Sequence, residues 1–159
     1  MNQSLIVSQG SENCSFTNVG VFSELDRFVF STPKSSFQLE GKVFLKEILK
    51  LTGAEISLNR FPPKRSVPFY HKHQLNEEIY IFISGEGEFQ IDDRIFPITE
   101  GTIVRVDPEG VRCFRNTSET EELTFIAIQV RKDSYQGSTI EDGFPVEKRV
   151  SWVGKERLE

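Results

Sequence analysis

Cysteine, histidine, tryptophan and methionine are all scarce in this chain of 159 residues, which holds two, two, one and one of them. The two cysteines, Cys14 and Cys113, are far apart and show no metal-type spacing. That rules against a disulfide scaffold and a cysteine-based zinc knuckle, and leaves two free thiols in a reducing, cytoplasmic compartment as the expectation. Basic charge is lacking too: the net charge is -5 and the isoelectric point about 5.2. A basic nucleic-acid surface and a polybasic membrane patch are therefore not expected. No apolar run approaches the roughly 20 residues of a membrane span. The N-terminal MNQSLIVSQGSENCSF has no basic start followed by a long apolar run, so no secretory leader is expected.

What the chain does have is phenylalanine and glycine, 14 and 11 of them. Phenylalanine among β-branched residues, with regular glycines, favours short strands and tight turns. Residues 1–18 are polar and aperiodic and read as a loose arm, and 19–40 as one outer strand or an edge cover. KVFLKEILKL at 42–51 has near-helical apolar spacing, with Gly53 placed to end a short helix, although a strand also fits. From Ala54 the period changes to two. AEISLNRF, EIYIFIS, EFQID, RIFPI, TIVRV, VRCFR and ELTFIAIQV follow one another at the spacing of an all-β sandwich or barrel. The expected organisation is an arm and outer strand over 1–40, a barrel over 41–130, and a C-terminal tail over 131–159. Val146, Val150, Trp152 and Val153 would dock that tail on the barrel or on a partner chain.

Both histidines stand in PFYHKHQLNEEIYIF. On a strand, residues two apart point to the same face, so His71 and His73 project side by side. Glu77 and Glu78 follow at the mouth of the next strand. One carboxylate with two imidazoles makes a three-donor set for a divalent metal, with positions left open for water or a small molecule. With both histidines so committed, no Ser-His-Asp triad can be assembled. GEGEF at 85–89 lies between two strands and reads as a hairpin turn, not a phosphate loop. Tyr70 and Tyr80 are near enough in sequence to be proton donors, though an aromatic core or rim role suits them better.

PFYHKHQLNEEIYIFISGEG resembles the first sequence motif of the cupin superfamily, in which His-x-His precedes a glutamate and, six residues later, a glycine. His71 and His73 match the histidines, and Glu78 matches the glutamate because Gly85 follows it at that spacing. Glu77 would face away. GTIVRVDPEGVRCFRN, residues 101–116, resembles the second motif through its glycines, Pro108 and Asn116, but lacks the histidine. Counting back from Asn116 puts Arg112 in its place, and counting forward from Gly110 puts Cys113 there. The first count fits the ending better, and an arginine there would present donors to an anionic ligand. A cysteine would be a soft metal ligand.

The resemblance covers about 54–130 and implies an RmlC-like jelly roll, or double-stranded β-helix, with one or two short helices. It also implies one divalent ion (Fe, Ni, Mn or Zn) at the barrel mouth, a small-molecule ligand and a homodimer. The superfamily contains dioxygenases, sugar-phosphate isomerases, epimerases, decarboxylases and non-catalytic binding domains, so fold alone names no reaction.

Overall fold

The computed structural model describes residues 8–31 and 38–157. Twelve strands run in chain order: β1 (Ser8–Ser11), β2 (Cys14–Phe16), β3 (Val29–Ser31), β4 (Gln38–Glu40), β5 (Lys42–Phe44), β6 (Glu55–Phe61), β7 (Asn76–Ser84), β8 (Glu86–Ile91), β9 (Arg94–Thr99), β10 (Ile103–Val106), β11 (Arg112–Asn116) and β12 (Leu123–Arg131). One 3-10 turn at Phe22–Arg27 and one helical turn, α1 (Lys46–Leu49), complete the described elements. The molecule is an all-β jelly roll, as the strand rhythm predicts.

Every strand pairing among the described residues is antiparallel. One sheet has the order β10-β7-β12-β6-β5 and a second the order β11-β8-β9. Alternation makes each strand two-faced. On β7, Glu78, Tyr80 and Phe82 are buried, and on β11 Arg112, Phe114 and Asn116 are. The inward faces of the two sheets meet in an aromatic core of Phe61, Tyr80, Phe82, Phe89, Phe114 and Phe125. Phe114 stacks between Phe61 and Phe89, with ring centroids 5.4 and 5.5 Å away. Burying such a ring contributes roughly 1.5–3 kcal/mol, so this phenylalanine cluster is the main apolar source of stability. Pro97 falls on β9, an edge strand, where a missing N–H costs least. Gly85 turns β7 into β8 at φ +87, and a Cβ there would lie 2.1 Å from the Glu122 carbonyl oxygen. Only glycine meets both conditions.

The segment expected to be a helix over 42–51 divides. Lys42, Val43 and Phe44 pair with Asn59, Leu58 and Ser57 as strand β5, and only Lys46–Leu49 is helical. Partners on β6 satisfy the backbone of 42–44, and the apolar spacing there serves two strand faces. The helix ends at Lys50, which takes the left-handed conformation (φ 56), three residues before the expected stop at Gly53. Within 1–18, β1 and β2 form a hairpin, tied to α1 by the Ser15 hydroxyl donating to the Leu49 carbonyl. Residues 1–7 of the expected arm lie outside the described residues. β3 pairs with β4, and Val43, Leu45, Leu25 and Phe28 make a small separate core.

Candidate metal centre

His71 and His73 stand not on a regular strand but on an extended segment beside β11. His71 and Arg112 exchange both backbone hydrogen bonds, at 3.2 and 3.1 Å, and the His73 N–H donates to the Pro108 carbonyl. The two rings project together, 5.6 Å apart and nearly perpendicular. β7 brings Glu78 to them from the other sheet: its Oε2 lies 3.1 Å from His73 Nε2 and 3.7 Å from His71 Nε2. One ligand atom from each of the three residues falls within 4.8 Å of the others. Glu77, one residue back, points outward and accepts from Arg105 Nε at 2.6 Å. Tyr70 is exposed and Tyr80 is buried.

Alternation on β11 turns Arg112 and Cys113 to opposite faces. Arg112 faces inward with Phe114 and Asn116, and Cys113 faces the other way, with its thiol 3.6 Å from the side-chain Oε1 of Gln90. Arg112 has no exposed surface. Its guanidinium makes internal bonds only: to Glu78 Oε2 at 2.5 Å, to the Gly110 carbonyl at 3.0 Å and, at 3.5 Å, to the Tyr80 oxygen. The expected fork of donors for an anionic ligand is thus turned onto the glutamate itself.

Glu78 Oε2 collects donors from several sides. Tyr80 donates to it at 2.5 Å, and Gln129 Nε2 reaches Oε1 at 3.4 Å. Burial would raise the Glu78 carboxyl. Donation from the imidazole side, from Tyr80 and from Arg112, together with the Arg112 charge, overrides burial and holds it well below the usual carboxylate range. Burial and the Glu78 charge push the Tyr80 hydroxyl above its ordinary range, so it stays a donor. Burial works against the Arg112 charge, but its Tyr80 and Glu78 bonds more than offset that.

The cluster opens on a cavity of about 460 Å³. Phe30 and Leu39 of the β3–β4 pair close one side of it, and Phe61, Val67, Phe69 and Phe125 make much of the wall. Lys42 and Arg65 also line it, and neither was marked by the sequence. Lys42 looks like one more strand lysine until β5 pairs with β6 and sets it across from Asn59. Its Nζ donates to Asn59 Oδ1 at 2.8 Å and lies 4.7 Å from the Phe44 ring centre. Burial, only partly offset by Glu78 and Glu55, pushes its pKa down to about 8.

A family profile described as a cupin domain matches residues 57–129. A cupin protein of known structure from Bacteroides fragilis is 38% identical, over 70% of this chain and 94% of that one, with a TM-score of 0.63. The chain belongs to the cupin superfamily. The cupin is also similar to a Thermotoga maritima protein named a predicted oxalate decarboxylase, at 27% identity over 72% of this chain and 99% of that one, TM-score 0.55. A third relative, from Acidithiobacillus ferrooxidans, is provisionally named a sugar phosphate isomerase. It is 26% identical over 58% of this cupin and 59% of its own length, TM-score 0.52. No curated protein matches the chain.

Two imidazoles and a carboxylate within 4.8 Å have the donor chemistry for one divalent ion such as Fe, Ni, Mn or Zn. His71 Nε2 faces Glu78, and its Nδ1 is buried without a hydrogen-bond partner among the described residues, an unmet polar atom beside the cluster. The donor set therefore fits the metal that cupins commonly carry. No helix of the described residues is long and apolar enough to cross a membrane.

Proposed function

We propose that this cupin holds one divalent metal through His71, His73 and Glu78 and uses the adjoining cavity to bind and transform a small anionic metabolite. One observation carries the reading. Among the described residues the cavity beside the cluster is lined by two cations, Lys42 and Arg65, against a single carboxylate, Glu78, which Arg112 already pairs. A cavity with that balance favours a ligand that brings negative charge. When bound, the ion would supply Lewis-acid polarisation of a ligand oxygen at the positions the three residues leave open. Glu78 is kept ionised by Arg112 and Tyr80, and the aromatic wall and the β3–β4 pair keep water away from the ligand. The reaction classes in keeping with this set are a dioxygenase type and a sugar-phosphate-isomerase type.

A non-catalytic sensing module is the second reading. The internal bonding of Glu78 to Arg112 and Tyr80 favours it, since that bonding lets the cavity stand as a finished binding site without metal. We further propose a cytoplasmic homodimer in which the tail packs on the partner barrel. In the single chain the described tail is exposed, Trp152 by 89%, which leaves it available to a partner chain.

Metal analysis of untagged protein, followed by turnover assays on a panel of carboxylates and phosphates with and without that metal, tests the proposal. Metal-dependent turnover supports the enzyme, and tight binding without turnover supports the module. Absence of any divalent metal together with binding of neutral compounds only would overturn the proposal.

A further inference from the structure

We infer that Lys42 is the anion anchor of the cavity, and that the ligand is a small carboxylate with an aromatic or branched apolar body and not a sugar phosphate. This rests on the reading of the cavity as the functional site and narrows it to a substrate class.

The amine is built in, not incidental. Lys42 is held by Asn59, a side chain 1% exposed. The Asn59 amide nitrogen is already bonded to the Ser57 carbonyl, the Ser57 hydroxyl and, at 3.4 Å, the Phe125 carbonyl. Its oxygen is thereby aimed at Lys42 Nζ, 2.8 Å away. An ammonium has three donors, and this bond uses one. Among the described residues no carboxylate lies within ion-pair distance of Lys42, although the group is partly buried in the lining of the cavity. A partly buried cation with no acid partner is costly unless a ligand supplies the counter-charge. Glu78 and Glu55 offset the burial of that charge only in part and from beyond ion-pair distance, and Glu78 Oε2 is already bonded by Arg112 and Tyr80. The lowered pKa of Lys42 is in line with a charge short of partners.

The rest of the lining decides what the anion is attached to. Phe30, Leu39, Phe61, Val67, Phe125 and Ala127 offer no side-chain hydrogen-bonding group. Of the polar groups near them, the Asn59 amide nitrogen is taken by three acceptors, the Ser66 hydroxyl by the Val67 carbonyl and Gln129 Nε2 by Glu78, while the Arg65 guanidinium lies over the Phe61 ring at 6.0 Å. A polyol placed here would bury hydroxyls without partners, whereas an apolar body would pack on the rings. The cavity of about 460 Å³ suits a ligand of this kind, at the small end of the range for small-molecule sites.

The test is calorimetric titration of the full chain with 3-phenylpropanoate, 4-methylpentanoate, the neutral 3-phenylpropanamide and glucose 6-phosphate. The parent, Lys42→Met, Lys42→Arg and His71→Ala are compared, with thermal melts to confirm folding. The parent should prefer the two carboxylates to both the amide and glucose 6-phosphate. Lys42→Met should weaken carboxylate binding by about tenfold or more, as loss of a charge-assisted bond would. It should leave the amide unchanged, and Lys42→Arg should recover part of the loss. Unchanged carboxylate affinity in folded Lys42→Met, or a preference of the parent for glucose 6-phosphate, would overturn the inference. If His71→Ala abolished carboxylate binding while Lys42→Met left it intact, the metal would be the anchor. The Lys42 assignment would then fall and the proposed metal-dependent function would stand.

Discussion

Arg112 Nη2 lies 2.5 Å from Glu78 Oε2, and the two residues stand 34 positions apart on strands of different sheets. A fixed cation is thus bonded to the carboxylate proposed to bind metal. Without metal, Arg112 balances the Glu78 charge. A bound metal would have to share that oxygen or use the other one.

Arg112→Met should therefore destabilise the metal-free protein by about 3–5 kcal/mol, because it leaves a buried carboxylate unpaired. Divalent metal should recover more of the loss in this variant than it adds to the parent, since the ion takes over the counter-charge. Urea melts with EDTA and with excess Mn or Zn measure both quantities. An equal metal-induced gain in the two proteins would show that Arg112 and metal do not compete for Glu78.

His71→Ala and His73→Ala should each lose most of the bound metal while the fold survives, because both rings sit at the cavity rim and are partly exposed. Elemental analysis of untagged protein reads metal content, and circular dichroism reads the fold. Metal content equal to the parent in both variants would remove these histidines from the ligand set.

Lys42 gives a signed pH dependence. Its pKa is about 8 in the folded metal-free chain against 10.5 as its ordinary value. Between those values the unfolded chain binds the proton more tightly than the folded one, so stability rises with pH across that window. Lys42→Met should flatten the rise. Denaturation midpoints at a series of pH values from about 7 to about 10, for parent and variant, check it. Parallel curves would mean that Lys42 is not desolvated.

Phe114→Ala should cost about 3–5 kcal/mol, the range for emptying a packed aromatic position. Phe114 lies between Phe61 and Phe89 and meets Phe125 edge-on at 5.0 Å. Chemical denaturation measures the loss, and a change under about 1 kcal/mol would mean the core closes over the gap.

In solution the mass should be twice 18.2 kDa, and removal of residues 131–159 should shift it toward the monomer. Multi-angle light scattering decides. A parent mass near 18.2 kDa at micromolar concentration would count against the dimer.

Some of this was legible in the sequence because it is local. Side chains two apart on an extended chain share a face and neighbours do not, so His71 with His73, and Glu77 facing away from Glu78, could be read directly. The same alternation, broken by turns, marked the strands from β6 to β12 and with them the jelly roll. The rest depended on partners distant in sequence. Counting could not choose between Arg112 and Cys113, because the segment is one residue off the usual length. Antiparallel pairing of Arg112 with Ile91, and its bridge to His71, set the face. Apolar spacing could not tell strand from helix over 42–44, because both present apolar residues to a core; the backbone partners of β6 decided it. That pairing is also what carried Lys42 into the lining of the cavity. Its buried hydrogen-bond partner, Asn59, stands 17 positions away, and only the folded sheet brings them together.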